Sequence, residues 1–356
     1  MRCLLLASLL LLLSIPVRAE TVYRDEQTLW QDTVWQGDVL VDGILTVAPG
    51  VTLEIRPGTT VRFTRNDSNG DRIGEHELFI QGILQAHGTG EEPILFTSAE
   101  SEPHPGDWGA INMMASNGEN LLEHCRIEYG YRGFHAHFAS ARLAESTFRY
   151  NRRGAQFQES TVDIVDCRFV DNFNGLQFRD STVTISRSLV SGGYWGIRCV
   201  YTTLHLFDTE VTDNMINGVN LRDSEVTVQR CRIAHNRRGL YLQRTQSDVS
   251  DNTIESNSEH GIFLEDSDGS IARNRVAGNG RAGFRVIDSP VSIVDNNIVG
   301  NDEYGLINDG ESDLDIRGNW WGTSDVEALQ ALLRDGRDRS GVGIVRLLDP
   351  LSEARF

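Results

Sequence analysis

From Leu122 onward the chain alternates apolar and polar residues in short runs, and the same run returns every 21 or 22 residues. A glycine marks each return, at Gly133, Gly154, Gly175, Gly196, Gly218, Gly239, Gly261, Gly283 and Gly305, and an apolar residue follows every one. Two positions further on stand Phe157, Phe178, Cys199, Leu221, Leu242, Leu264 and Val286. That is period-two alternation, so a strand is predicted to begin at each glycine. Two more apolar columns, Leu122 to Ile293 and Ile127 to Ile298, predict two further strands per repeat. Three strands in so short a repeat leave no room for a helix. A fixed period of this length marks a solenoid whose repeats bury their apolar faces only against their neighbours.

Residues 37–112 keep the same logic less regularly, as in Leu53 to Val61 and Leu78 to Leu84. The expected organisation is a signal peptide over 1–19, an N-terminal cap over 20–36, the solenoid over 37–318 and a C-terminal cap over 319–356. In that last segment Ser324 and Glu327 have capping-box spacing. Val326, Leu329, Leu332 and Leu333 share one apolar face, which predicts a short helix, with residues 342–348 covering the open edge.

The polar columns carry structure as well. Cys125, Ser146, Cys167, Ser188, Thr209, Cys231, Asn252, Asn274 and Asn296 are small or amide residues at one repeat position, expected to stack inside as a ladder. Beside them run Glu145, Asp166, Arg187, Asp208, Arg230, Asp251, Arg273, Asp295 and Arg317. Alternating sign is expected to set each carboxylate between two guanidiniums, a structural role. Cys125, Cys167 and Cys231 lie two or three repeats apart, about 10 to 14 Å at strand spacing. That exceeds disulfide reach.

Composition narrows the function. Met1-Arg2, the leucine run Leu4 to Leu13 and Val17-Arg18-Ala19 read as a signal peptide, too short to span a bilayer. The expected location is therefore the periplasm or the outside of the cell. The formal charge of -18 makes nucleic acid or an anionic membrane a poor partner. All 33 cationic side chains are arginine, the residue that stacks and pairs in a fork.

The stretches Ile94-Leu95-Phe96-Thr97-Ser98, Trp108-Gly109-Ala110-Ile111 and Asn319-Trp320-Trp321-Gly322-Thr323, with the regular repeats, resemble the right-handed parallel β-helix superfamily. Pectate lyases and periplasmic NosD-like proteins typify it, and the resemblance covers about residues 37–350. It implies an all-β, single-domain right-handed parallel β-helix of three short parallel sheets with a C-terminal capping helix. It does not imply one activity, because the superfamily holds lyases, hydrolases, epimerases and non-catalytic binding proteins. The Asp-Pro-His-Asp segment of alginate epimerases is not in this chain, and neither are the paired-aspartate and glycine-histidine motifs of polygalacturonases.

The two residues before each glycine form a turn ridge rich in arginine and aromatics, including Arg152, Arg153, Tyr194, Trp195, Arg237 and Arg238. The outward face of the next strand adds Arg198, Tyr241, Phe263 and Arg285. Aromatic faces stack on sugars and arginine forks match carboxylates or sulfates. An anionic polysaccharide or other envelope polymer along the solenoid is the expected ligand, and the expected protein is a non-catalytic binder.

Two alternatives stand beside it. A polysaccharide lyase or other uronate-active enzyme would use Arg244, Asp266 and Asp288, where two carboxylates stack without an intervening arginine. A NosD-like accessory protein would assist a metalloenzyme or envelope assembly. Ca²⁺ is a candidate cofactor at Asp67, Asn69, Asp71 and Glu75, where oxygens alternate as in a calcium loop. Arg72 and Leu78 depart from that pattern.

Overall fold

The computed structural model describes residues 19–356; the expected signal peptide, apart from Ala19, lies outside them. The chain winds as a parallel solenoid with three strands in each regular turn. Inward residues of all three strands form one continuous core, from Trp35 through Phe63, Phe134 and Phe169 to Phe284 and Trp321. One set of strands makes a 14-stranded parallel sheet. The other two sets merge into a 25-stranded sheet, because strand Asp38–Val47 runs straight through the corner between them. Its first half pairs with Thr60–Phe63 and its second with Glu77–Ile80.

The repeat glycines are needed for close approach. A Cβ on Gly154 would lie 2.6 Å from Gly175 O, and one on Gly196 would lie 2.4 Å from Gly218 O. Corners are turned by residues in the left-handed region, among them Asp166 (φ 53°), Arg187 (46°) and Asp208 (48°). Asp is among the residues that tolerate this conformation, which explains its frequency there.

After such corners a small polar side chain points inward and bonds the backbone of the preceding rung. The expected Cys/Ser/Asn ladder is present: Cys125 N donates to Ser146 Oγ (2.9 Å) and Asn252 N to Asn274 Oδ1 (3.0 Å). A second ladder is formed by the asparagines ahead of the glycines. Asn257 Oδ1 accepts from Asn236 N and Nδ2, while Asn257 Nδ2 donates to Ile233 O and Asn279 Oδ1. Four bonds per amide satisfy buried groups that each cost about 1–3 kcal/mol when left unmade. The four cysteines among the described residues are free and buried, and burial raises their thiols, Cys231 to about 11.

Three expectations need correction. Each aspartate of the corner column is bonded by one guanidinium and not by two. Each arginine forks onto the aspartate one rung earlier, Arg187 on Asp166, Arg230 on Asp208 and Arg273 on Asp251. The column then continues at Gly318 (φ 60°), not Arg317, which faces Asp349 instead. The helix Val326–Ala331 is capped by Asp325, whose Oδ1 accepts from Ala328 N at 2.8 Å, so Ser324 is not the cap. Val326 is 79% exposed, and Leu329 alone of the helix is buried.

At the other end, segment 20–36 closes the solenoid by being strand itself. Thr21–Leu29 pairs in parallel with Asp38–Val47, and Thr33–Trp35 pairs with Thr52–Ile55.

Candidate functional site

The strands that begin at the glycines form one face of the solenoid. Their central outward positions align as His135, Gln156, Gln177, Arg198, Asn220, Tyr241, Phe263 and Arg285. Alternation places Arg179 and Arg222 outward two positions after Gln177 and Asn220, and Arg153, Trp195 and Arg238 stand three positions before Gln156, Arg198 and Tyr241, on the other side of the repeat glycine.

An open groove of about 470 Å³ lies across the middle of this face. Arg179, Arg198, Arg222, Gln156, Gln158, Gln177 and Tyr201 line it, and no carboxylate does. Arg198 lies 5.6 Å over the Trp195 ring and makes no ion pair among the described residues. Arg179 and Arg222 meet Asp180 (3.0 Å) and Asp223 (3.4 Å) only at the rim. Beside Trp195 the exposed rings of Phe173 and Tyr194 stack at 5.3 Å and form an apolar ledge continued by Met215.

Towards the N-terminus Arg132 and Arg153 enclose the Tyr131 ring at 4.8 and 5.0 Å, and both donate to Gln156 Oε1. His135 Nδ1 lies 2.9 Å from Asn112 Oδ1, and Asn112 donates to Glu77 Oε1 (3.1 Å). Burial, then Arg132, pushes His135 down to about 3, and burial pushes the Glu77 carboxyl up.

Towards the C-terminus the same residue types are tied to one another. Glu259 receives both Arg237 and Arg238 at 2.8 Å. Burial alone would raise Glu259, but the two guanidiniums hold it below the usual carboxylate range. Arg285 lies 4.6 Å over Phe263 and bonds Asp309 (2.9 Å). Tyr241 stacks on Phe263 at 4.7 Å and donates to Glu265 (2.7 Å). Beneath this cluster His260 is fully buried and neither ring nitrogen has a partner; burial, then Arg285, lowers it to about 4.

The structure thus brings Arg153, Tyr194, Trp195 and Arg198 together around an open surface and locks Arg237, Arg238, Tyr241, Phe263 and Arg285 into a closed one. Arg152 belongs to neither. Its guanidinium bonds Pro105 O (3.1 Å) and Arg72 O, pinning two insertion loops.

Arg244, Asp266 and Asp288 occupy one left-handed corner column (φ 50°, 49° and 43°) but do not converge. Arg244 forks back onto Asp223 at 2.6 and 3.0 Å, and Asp288 accepts from Glu311 N at 2.8 Å. No hydrogen bond or ion pair among the described residues joins the three.

In the loop around Asp67, the oxygens bond the loop itself. Asp67 accepts from Arg72 N, Asn69 from Asp71 N, Asp71 from Ile73 N, and Glu75 from Ser68. No group of three or more His, Cys, Asp or Glu side chains among the described residues is arranged to hold a metal ion.

Arg179, Arg222, Gln158 and Tyr201 were missed from sequence. Continuing the alternation two positions past Gln177 and Asn220 reaches both arginines.

Comparison with known proteins follows the geometry. A model described as "Right handed beta helix region" matches residues 179–320, and one described as "Pectate-lyase like beta helix domain" matches residues 23–134. No curated protein matches. Among solved structures, the periplasmic alginate epimerase AlgG shares 17% identity over 88% of this chain and 76% of its own, with TM-score 0.42. The A-module of the Azotobacter vinelandii mannuronan C-5 epimerase AlgE4 shares 15% over 85% and 86%, with TM-score 0.41. Dettilon tailspike protein shares 11% over 87% and 62%, with TM-score 0.40. None of these likenesses carries a substrate or an activity over to this chain. Among the described residues no helix is long and apolar enough to cross a membrane. The two matching family models and the parallel three-stranded coil agree, and the chain belongs to the right-handed parallel β-helix superfamily.

Proposed function

We propose that this is an exported, non-catalytic solenoid that binds an anionic polysaccharide or similar envelope polymer along the central groove. One observation carries the reading: on a chain of net charge -18, a groove of about 470 Å³ is lined by three arginines and no carboxylate. Arg198 keeps its donors free of any acid, and its plane rests on Trp195, the arrangement in which a guanidinium can receive a carboxylate or sulfate. The Phe173–Tyr194 ledge offers flat apolar surface to a sugar ring beside it. The neighbouring amides of Gln156 and Gln177 supply uncharged donors and acceptors for hydroxyls.

Titration calorimetry of the purified protein with polygalacturonate, and with dextran as the uncharged control, tests this. Binding of the acid polymer alone, weakened by Arg198→Ala, is the expected result. Equal binding of dextran would remove the electrostatic basis. Incubation with uronate polymers and Ca²⁺ tests the other half of the reading. Appearance of unsaturated products, abolished by Asp266→Asn, would make the protein a lyase.

A further inference from the structure

The three arginines of the central groove stand around one point. Strand register sets Gln158, Arg179, Val200, Arg222 and Gln243 in one column on consecutive rungs. Arg179 and Arg222 are therefore two rungs apart, about 9.6 Å at strand spacing, with the half-buried Val200 between them. Arg198 stands on the rung of Val200, two positions back along strand Trp195–Val200 and about 7 Å away. On the other side of Val200 the chain turns a corner at Tyr201 (φ 54°), which is 52% exposed. Val200 is thus a short apolar floor with guanidiniums on three sides and a phenol on the fourth, and all five residues line the groove. Each arginine side chain is long enough to bring its fork over that floor.

The positive charge ends there. Gln158 and Gln243 continue the outer column, and Gln177 and Asn220 flank Arg198 in the central one, so amides enclose the three arginines along the stack. The nearest aspartates do not neutralise them. Arg179 meets Asp180 and Arg222 meets Asp223 through Nε, in exposed pairs weak enough to be exchanged for a ligand. Asp223 is also forked by Arg244 already. A string of charges would find partners here for one of its groups only.

We infer that this basin holds a single compact dianion, a phosphate monoester carried on a sugar, and not the successive carboxylates of a uronate chain. The three terminal oxygens of the ester accept one fork each, whereas a carboxylate offers two oxygens and one charge to three guanidiniums. A phosphate monoester carries about -1.5 to -2 at neutral pH. The Tyr201 ring gives the sugar a flat surface beside the phosphate. The inference rests on the reading of the groove as a polysaccharide site and adds which anion decorates the polymer.

Titration calorimetry of the purified protein with glucose 6-phosphate, glucose 6-sulfate, glucuronate and inorganic phosphate tests it, with phosphorylated dextran against polygalacturonate as the polymer pair. Glucose 6-phosphate is expected to bind at least about tenfold more tightly than glucuronate or glucose 6-sulfate, which has the same shape and a single charge. Phosphorylated dextran should bind more tightly than polygalacturonate. Arg179→Gln and Arg222→Gln together should weaken glucose 6-phosphate at least about tenfold. Val200→Phe, which keeps every charge and fills the basin, should do the same. Arg187→Gln, an exposed corner arginine outside the groove, should change it by less than about twofold.

Glucuronate or glucose 6-sulfate binding as tightly as glucose 6-phosphate, or no loss in the arginine pair, overturns the inference, and binding of polygalacturonate then leaves the polysaccharide site standing. Inorganic phosphate binding as tightly as glucose 6-phosphate overturns the sugar ester and leaves the dianion basin. Failure of every anion to bind overturns both readings.

Discussion

The two halves of one face use the same residue types to opposite ends. Between Arg132 and Arg222, Arg132, Arg153 and Arg198 rest on rings or amides with no ion pair among the described residues, and Arg179 and Arg222 meet aspartates only at the groove rim. Between Arg237 and Asp309 each guanidinium on the face has a carboxylate, Glu259 for Arg237 and Arg238 and Asp309 for Arg285, and Phe263 is 5% exposed beneath them. The buried ladders differ in step. Downstream, asparagines run unbroken from Asn214 to Asn301; upstream, Gly193 interrupts that line, and serine and cysteine fill the neighbouring one. An arginine-aromatic surface is therefore a binding candidate only where its charges are left unpaired.

The largest effect should come from the ladder. Asn257→Ala removes four buried bonds and should cost about 2–4 kcal/mol in urea unfolding. The upstream Ser188→Ala, at a rung where serine replaces asparagine in the neighbouring ladder, should cost about 1 kcal/mol by the same rule. Equal losses would erase the contrast between a rigid downstream frame and a lighter upstream one.

The next effect separates the two surfaces. Arg198→Ala should weaken polyuronate binding about tenfold, or 1.4 kcal/mol. The Arg237→Ala, Arg238→Ala pair should change it by less than about twofold, because Glu259 already holds both groups. A larger loss from the pair would move the site downstream.

The histidines sharpen the comparison through pH. His260 is held down to about 4, against about 6.5 when unfolded. The unfolded chain takes up the proton first, so stability is expected to fall as pH drops from about 6.5 to 4. His260→Phe removes two orphaned nitrogens. It should reduce that fall and be neutral to about 1 kcal/mol stabilising at pH 7. His135→Phe should destabilise instead, since it strips Asn112 Oδ1 of its partner. Urea midpoints between pH 4 and 7 decide both.

The smallest effect belongs to the exposed corner pairs. The hydrogen bond from Arg230 holds Asp208 below the usual carboxylate range. What that pair contributes is present above the ordinary aspartate value of about 3.9 and lost as pH falls through the depressed one. Arg230→Gln should leave the thermal midpoint nearly unchanged at pH 7 and alter only the acid limb. A marked loss at neutral pH would show that the corner column holds the stack together.

The sequence by itself determined the coil. Apolar residues at Ile127, Phe148 and Phe169 must face one core, and glycines such as Gly196 must recur because the next rung's backbone leaves no room for a Cβ. Both follow from periodicity, and so did the thiols of Cys125, Cys167 and Cys231 being too far apart to join. What only the tertiary structure decided was which neighbour each charge chose. Arg244 had Asp223 one rung before and Asp266 one rung after, and it turned to Asp223. Arg237 and Arg238 read as a binding pair until Glu259, on the next rung, received both. A repeat fixes the column in which a side chain stands. Side-chain direction along that column depends on rotamer and local charge, and those are set only once the rungs are stacked.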